Sequence, residues 1–233
     1  VVRVKVVALL SWYDEPTSWL SACIASCAKF CDHVVAVDGA YLHFPGGKGN
    51  SATDQAEVIT ETAAAAGMGV TIHRPNELWY GGEVEKRAFM FALAETLTTE
   101  HDWYFPIDAD ELVDVAADDL RDVLGKSKFD CGDIKLFTRV DLNVHQANAG
   151  HFDRTSHSQR QVFRALRGLT VKDAHFNYIA DNKCLWGSHQ ESGEDLTSIL
   201  EVEHRDGNRP RTRREKKEQY YKRRDELKIE CAH

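Results

Sequence analysis

Two carboxylates two residues apart, Asp108 and Asp110, stand directly behind an apolar run, Trp103-Tyr104-Phe105-Pro106-Ile107. A short apolar run of this kind reads as a buried strand, and an open α/β sheet binds ligands outside the carboxyl ends of its strands. If extended backbone continues through Ala109, both carboxylates point to one side. Held that close, they repel each other unless a cation joins them. Oxygen donors of this kind suit Mn²⁺ or Mg²⁺, with phosphate oxygens and waters completing the shell. A cation there neutralises charge that builds on a departing diphosphate. Asp-x-Asp alone is common in acidic loops, and Asp118-Asp119 follow close behind. Its position at the end of an apolar strand is what gives Asp108-Ala109-Asp110 weight.

Other residues gather around the same chemistry. Lys86 and Arg87 open the helix before this strand, where side-chain charge and helix N-terminus both favour phosphate. Their alternative is a solvated face paired with Glu83 and Glu85. Asp38, before Gly39, is either a nucleotide contact or a turn residue. Asp14 and Glu15 precede Pro16 and act either as a helix cap or as contacts to base or ribose; Ser11 and Tyr13 share their loop. Two histidines compete to complete the metal site. His175 lies beside Asp173 in a polar stretch, and His204 ends the strand-like Val202-Glu203-His204. An inverting transfer needs a carboxylate to take the acceptor's proton, and Asp153, Asp173 and Glu191 are the candidates. A retaining one does not, so the stereochemistry stays open. Cys23, Cys27 and Cys31 recur at helical spacing and read as one buried face, since their spacing lacks the common zinc patterns.

The elements that must position these groups are legible from periodicity. Residues 4–10 and 34–37 are short apolar runs, followed by 70–73 and 103–107. Helical patterns lie between them at 16–30, 55–66 and 83–97. Gly67 is a natural C-cap for the second of these. Such alternation predicts βαβ units and a mainly parallel, Rossmann-like sheet flanked by helices. Beyond residue 113 the rhythm changes. A helix is expected at 118–124, with strands at 133–140 and 161–164. The polar stretch 143–158, with His145, His151 and His157, reads as a long loop facing an acceptor. Residues 209–227 read as a charged terminal helix that Tyr220 and Tyr221 can dock. The expected division is a main domain over 1–202, with a nucleotide-binding half at 1–113 and an acceptor-side half at 114–202, and a basic tail at 203–233.

Composition sets the frame. The 233 residues are 42% hydrophobic and 28% charged, enough apolar material for a substantial core. No apolar run is long enough for a membrane span, and the N-terminus lacks a signal-peptide cleavage pattern, so a cytoplasmic location is expected. The net charge of −8 is unevenly distributed: residues 203–230 carry +4 and the remainder −12. A basic tail on an acidic body suits an anionic ligand, a membrane surface or nucleic acid, or is a solvated helix of mixed charge.

Several of these segments resemble one family. WYFPIDADEL at 103–112 is similar to the DxD segment of family 2 glycosyltransferases and their GT-A relatives. ALLSWYDEP at 8–16 resembles the family's first strand and loop, VVAVDG at 34–39 its second strand, and GEVEKRA at 82–88 the segment whose basic residue opens the helix before the DxD strand. Gln161-Val162-Phe163-Arg164 with His175 is similar to a stretch of the family's lipopolysaccharide-core transferases, although Phe176 stands where that stretch has Glu. The resemblance implies a GT-A fold with a charged C-terminal helix. It further implies a metal-dependent hexosyltransferase-like activity moving a sugar from a UDP- or GDP-sugar to a hydroxyl acceptor. It implies Asp108, Asp110 and a histidine at the metal, and Ser11, Tyr13, Asp14, Glu15, Asp38, Lys86, Arg87 and Ala109 at the donor. A nucleotidyltransferase making nucleotide-sugars is the alternative, but its Gly-rich basic loop is missing after the first strand. A non-catalytic module gripping an anionic partner with the tail is the other.

Overall fold

The first apolar run forms strand β1 (Val6–Ser11), buried at all six positions. Val6, Ala8 and Leu10 enter one core; Val7 and Leu9 enter a second on the opposite face. Burial on both faces is what makes such a strand read as a continuous apolar run. The chain, described here from a computed structural model, is defined for residues 3–141, 152–173, 177–181, 183–186, 192–205 and 211–230. Helices α1 (Thr17–Cys27) and α2 (Thr53–Ala65) cover the first face through Leu20, Cys23, Ile24, Cys27 and Ile59. Helix α3 (Gly82–Glu95) covers the second with Met90, Phe91 and Ala94. Cys23 and Cys27 on α1, and Cys31 just past its end, thus serve as packing residues, as expected.

The sheet begins with four parallel strands in the order β3 (Gly69–His73), β2 (His33–Val37), β1 and β4 (Trp103–Asp108). It continues through β7 (Phe152–Arg164), antiparallel to β4, and β6 (Cys131–Asp141), antiparallel to β7. Then come β12 (Leu200–His204), parallel to β6, and β5 (Glu111–Val115), antiparallel to β12. Helix α4 (Ala117–Lys126) packs Leu120 and Leu124 into the first core. Short strands β8 (Thr170–Val171), β9 (Tyr178–Ala180) and β10 (Lys183–Trp186) make a second small sheet, and β11 (Glu194–Asp195) pairs with β6. The outcome is a mixed α/β fold with a mainly parallel sheet flanked by helices.

Three differences from the sequence reading matter for the site. The polar stretch 143–158 is not one loop: residues 152–158 belong to β7, paired along β6 from Asp141↔Phe152 inward. Strand pairing is made by backbone groups, so a polar strand on a long hairpin has no alternation to betray it. Strand β5 was not anticipated, because its residues follow the DxD segment without a turn signal of glycine or proline. Strand β12 carries the sheet past residue 202 to His204, and α5 (Arg211–Glu230) then returns to the body.

Candidate functional site

Parallel pairing aligns the carboxyl ends of β1, β2 and β4: Ser11 is in register with Val37 on one side and Asp108 on the other. A cleft of about 660 Å³, including its open mouth, lies over these ends. Ser11, Tyr13 and Glu15 from the β1–α1 loop, Gly39 to Tyr41 after β2, Glu83, Lys86 and Arg87 from α3, and Asp108 and Ala109 line it.

The expectation that Asp108 and Asp110 share one side of an extended strand is corrected. Strand β4 ends at Asp108, and Ala109–Asp110 turn the chain into β5. The Glu111 carboxylate accepts the Asp108 N–H at 3.0 Å and tightens that corner, and β5 then pairs with β12. The two carboxylates consequently part. Asp108 is 41% exposed and faces the cleft, where Arg87 Nη2 donates to its Oδ1 at 3.0 Å. Asp110 is fully buried, with Oδ2 3.1 Å from His204 Nε2. The antiparallel register His204↔Glu111 brings the histidine there, and Arg205 N–H bonds the Asp110 carbonyl at 2.9 Å.

Electrostatics follow from this packing. Burial pushes the Asp108 carboxyl up, but the Arg87 guanidinium together with Lys217 and His204 holds it below the usual range. Burial works against a charged His204, yet its hydrogen bond to Asp110 and the nearby Asp110, Glu111 and Asp108 charges raise it to about 9. Glu111 is pushed up to about 8 by burial and then by the Asp108 charge. Gln161 Nε2 donates to Glu111 Oε2 at 3.0 Å and to the Pro106 carbonyl at 2.9 Å, tying β7 beneath the corner. Asp108, Asp110 and His204 have the donor chemistry of a hard divalent cation. Asp110 and His204 already converge, whereas Arg87 holds Asp108 aside. Among the described residues, no group of three or more such side chains is assembled at ligand spacing.

The neighbouring cations differ. Arg87 is buried and also meets Glu83 Oε1 at 3.2 Å. Lys86, 1% exposed, donates to the carbonyls of Trp12 at 2.6 Å and Gly39 at 2.9 Å. Burial lowers its ammonium to about 7, against the pull of Asp38. It therefore staples the chain where β1 and β2 end. Asp38 is also an organiser: its oxygens accept Gly39 N–H (2.7 Å), Ser51 N–H (2.8 Å) and Ser51 O–H (2.6 Å), and Gly39 to Tyr41, not Asp38, meet the cleft. Gly39 sits at φ +106°, and an added Cβ would lie 2.4 Å from the Gly49 carbonyl oxygen, so only glycine fits.

In the first loop, α1 begins behind Pro16 with no side-chain cap bond, so neither Asp14 nor Glu15 caps it. Asp14 is exposed at φ 51° and lies outside this cleft, in a side hollow with Thr212 and Lys216. Glu15 is buried and accepts from Arg213 at 3.0 Å. Tyr13 packs edge-on against Phe44, and its hydroxyl accepts the Lys48 N–H at 3.0 Å. His175 and Glu191 lie outside the described residues. Asp153 is placed on β7 opposite Val140, with its side chain likewise outside them.

Helix α5 supplies what sequence reasoning missed. Arg213, Lys217, Tyr220 and Tyr221 line the same cleft as Asp108. The tail was expected to serve an anionic ligand, a membrane surface or nucleic acid, or to be a solvated helix that Tyr220 and Tyr221 can dock, and its cations were not assigned to this cleft. Its signal was present as an i, i+4, i+7, i+8 stripe, but nothing local names the surface that the stripe meets.

No family model matches the chain, and no curated protein does. Solved structures that it resembles include UDP-glucose pyrophosphorylase complexed with UDP-glucose, at 12% identity and a TM-score of 0.31, covering 94% of this chain and 99% of that one. A likeness of that size carries no functional argument. No helix among the described residues is long and apolar enough to cross a membrane.

Proposed function

We propose that the chain is a metal-dependent glycosyltransferase of GT-A type that takes a sugar from a nucleotide-diphosphate sugar. The observation that carries this reading is the corner at the carboxyl end of β4. There an Asp108–Arg87 pair of 3.0 Å lines the cleft over the parallel strand ends, and a buried Asp110–His204 contact of 3.1 Å stands at the same corner, two residues on from Asp108 and behind the cleft lining. Asp108, Asp110 and His204 would hold Mn²⁺ or Mg²⁺, with His204 giving up the proton it now shares with Asp110. The bound cation supplies Lewis-acid neutralisation of the leaving diphosphate. Arg87 holds Asp108 toward the cleft and adds positive charge beside it. Lys86 fixes the loops after β1 and β2, so that Ser11, Tyr13 and Glu15 present a preformed surface to the nucleoside. The donor is a UDP- or GDP-sugar and the acceptor a hydroxyl compound.

The β1–α1 loop favours this reading over a nucleotidyltransferase, because Ser11 to Pro16 contains neither glycine nor a basic residue to cradle a triphosphate. The two reactions also differ in product. A glycosyltransferase, or its slow donor hydrolysis, releases nucleoside diphosphate; a nucleotidyltransferase joins a nucleoside triphosphate to a sugar phosphate and releases pyrophosphate. Incubating the chain with UDP- and GDP-sugars and Mn²⁺ should release UDP or GDP, and His204→Ala should abolish that release. Pyrophosphate formed from UTP or GTP and a sugar 1-phosphate, with no diphosphate release from any sugar donor, would overturn the proposal.

A further inference from the structure

Helix α5 presents one stripe to the body: Arg213, Lys217, Tyr220, Tyr221 and Arg224 are shielded, while Glu215, Lys216, Glu218 and Lys222 are exposed. Tyr220 anchors it, stacked near Tyr41 at 5.4 Å and Phe44 at 6.0 Å. Arg213 anchors it a second time through the Tyr13 carbonyl and the Glu15 carboxylate, with its guanidinium 5.2 Å from the Phe44 ring. These contacts fix the helix over the cleft, with the Tyr220 hydroxyl close to Gly82 at the start of α3. Two cations of the stripe, Arg213 and Lys217, thereby line the cleft over the carboxyl ends of the sheet.

One atom in this wall points to a ligand. Arg213 Nη1 is buried and, among the described residues, has no hydrogen-bond partner. A buried guanidinium N–H left unmade is costly, and an anionic oxygen in the cleft is the partner its chemistry asks for. Planar forked donors and a neighbouring ammonium together suit phosphate, the first in directed bonds and the second as a point charge. We propose that α5 is one wall of an anion site, in which Arg213 and Lys217 hold the phosphate groups of the ligand in the cleft that Arg87 also lines. The inference rests on reading this cleft as the site for a nucleotide diphosphate, and it assigns the diphosphate-facing cations to the C-terminal helix as well as to α3. Binding then draws α5 onto the body, because the ligand's charge bridges the two.

Inorganic pyrophosphate with Mg²⁺, titrated calorimetrically into the full chain, tests this without any sugar. Lys217→Ala should weaken binding about tenfold, as should Arg213→Lys, which keeps the charge but loses the fork. Lys222→Ala, on the exposed face, should bind as the wild type does. Tryptic cleavage within α5 should slow when pyrophosphate is added. Lys217→Ala and Arg213→Lys proteins that bind pyrophosphate like the wild type would overturn the inference. So would tighter binding in Tyr220→Ala, which would make α5 an obstruction, or no binding by the wild type. Metal-dependent binding of a nucleotide, measured separately, decides the transferase reading, so the two can fail independently.

Discussion

The two sides of the cleft are built by different means. The sheet side is complete within itself: Lys86 is bonded to two carbonyls, and Arg87 to Asp108 and Glu83. The α5 side is brought from far along the chain and held by Tyr220 and by Arg213, which joins residues 198 and 200 positions away. On the sheet side, then, charge is fixed when the domain folds. On the α5 side it depends on docking a helix whose exposed face is dense in charge. Substitutions on the first should alter folding and function together, and substitutions on the second should alter ligand binding with little change in stability.

The largest expected effect lies on the sheet side. Asp110→Ala removes the buried carboxylate that meets His204, and metal-dependent transfer should fall by on the order of 100-fold or more, as read from initial rates at saturating donor. Next comes Arg87→Met. It strands Glu83 and Asp108, and because Asp108 is 41% exposed the cost should be about 2 kcal/mol, below that of a fully buried pair. Urea unfolding of the ligand-free protein measures it. The Lys217→Ala protein should unfold as the wild type does; if it loses as much as Arg87→Met, the contrast between the two sides is broken.

Lys86 gives a pH signature to the sheet side alone. Its native ammonium titrates near 7 and its unfolded one near 10.5, so between these values the unfolded chain holds more protons. The Lys86 contribution to stability should therefore rise with pH across that window, by up to about 1.4 kcal/mol per unit, against the opposite contributions of Glu111 and His204, whose raised values favour the folded state at lower pH. Lys86→Met should remove the rising contribution, so that stability falls more steeply with pH than in the wild type in urea unfolding at pH 7, 8 and 9. A slope unchanged by the substitution would mean that Lys86 keeps its proton through the window. The smallest effect belongs to Asp14→Asn. Its side chain is exposed outside the main cleft, so stability should stay within about 0.5 kcal/mol and nucleotide binding should not change.

Much of the sheet side was legible because strand ends are announced by apolar runs and the groups behind them are local: Asp108 and Asp110 stand out by their position behind an apolar run, and Arg87 by opening the helix before it. The split between Asp108 and Asp110 was not, since the turn at Ala109 is made by ordinary residues and stabilised by Glu111 and by pairing with β12, which lies 89 residues on. Spacing named His204 and His175 as rivals, and only the β5–β12 register put His204 against Asp110. Strand β7 was read as a loop where its polar residues hide it. For α5 the stripe of Arg213, Lys217, Tyr220 and Tyr221 could be counted, but a helical stripe states a face and not its partner.

The central claim is that the Asp110–His204 corner holds a cation against a nucleotide diphosphate. It is tested most directly by thermal unfolding with UDP and GDP, each with and without Mn²⁺, on wild type, Asp110→Ala and His204→Ala. The melting temperature should rise with one nucleotide only when Mn²⁺ is present, and the rise should be lost in both variants while each remains folded. No metal-dependent rise in the wild type, or an undiminished rise in both variants, would contradict it.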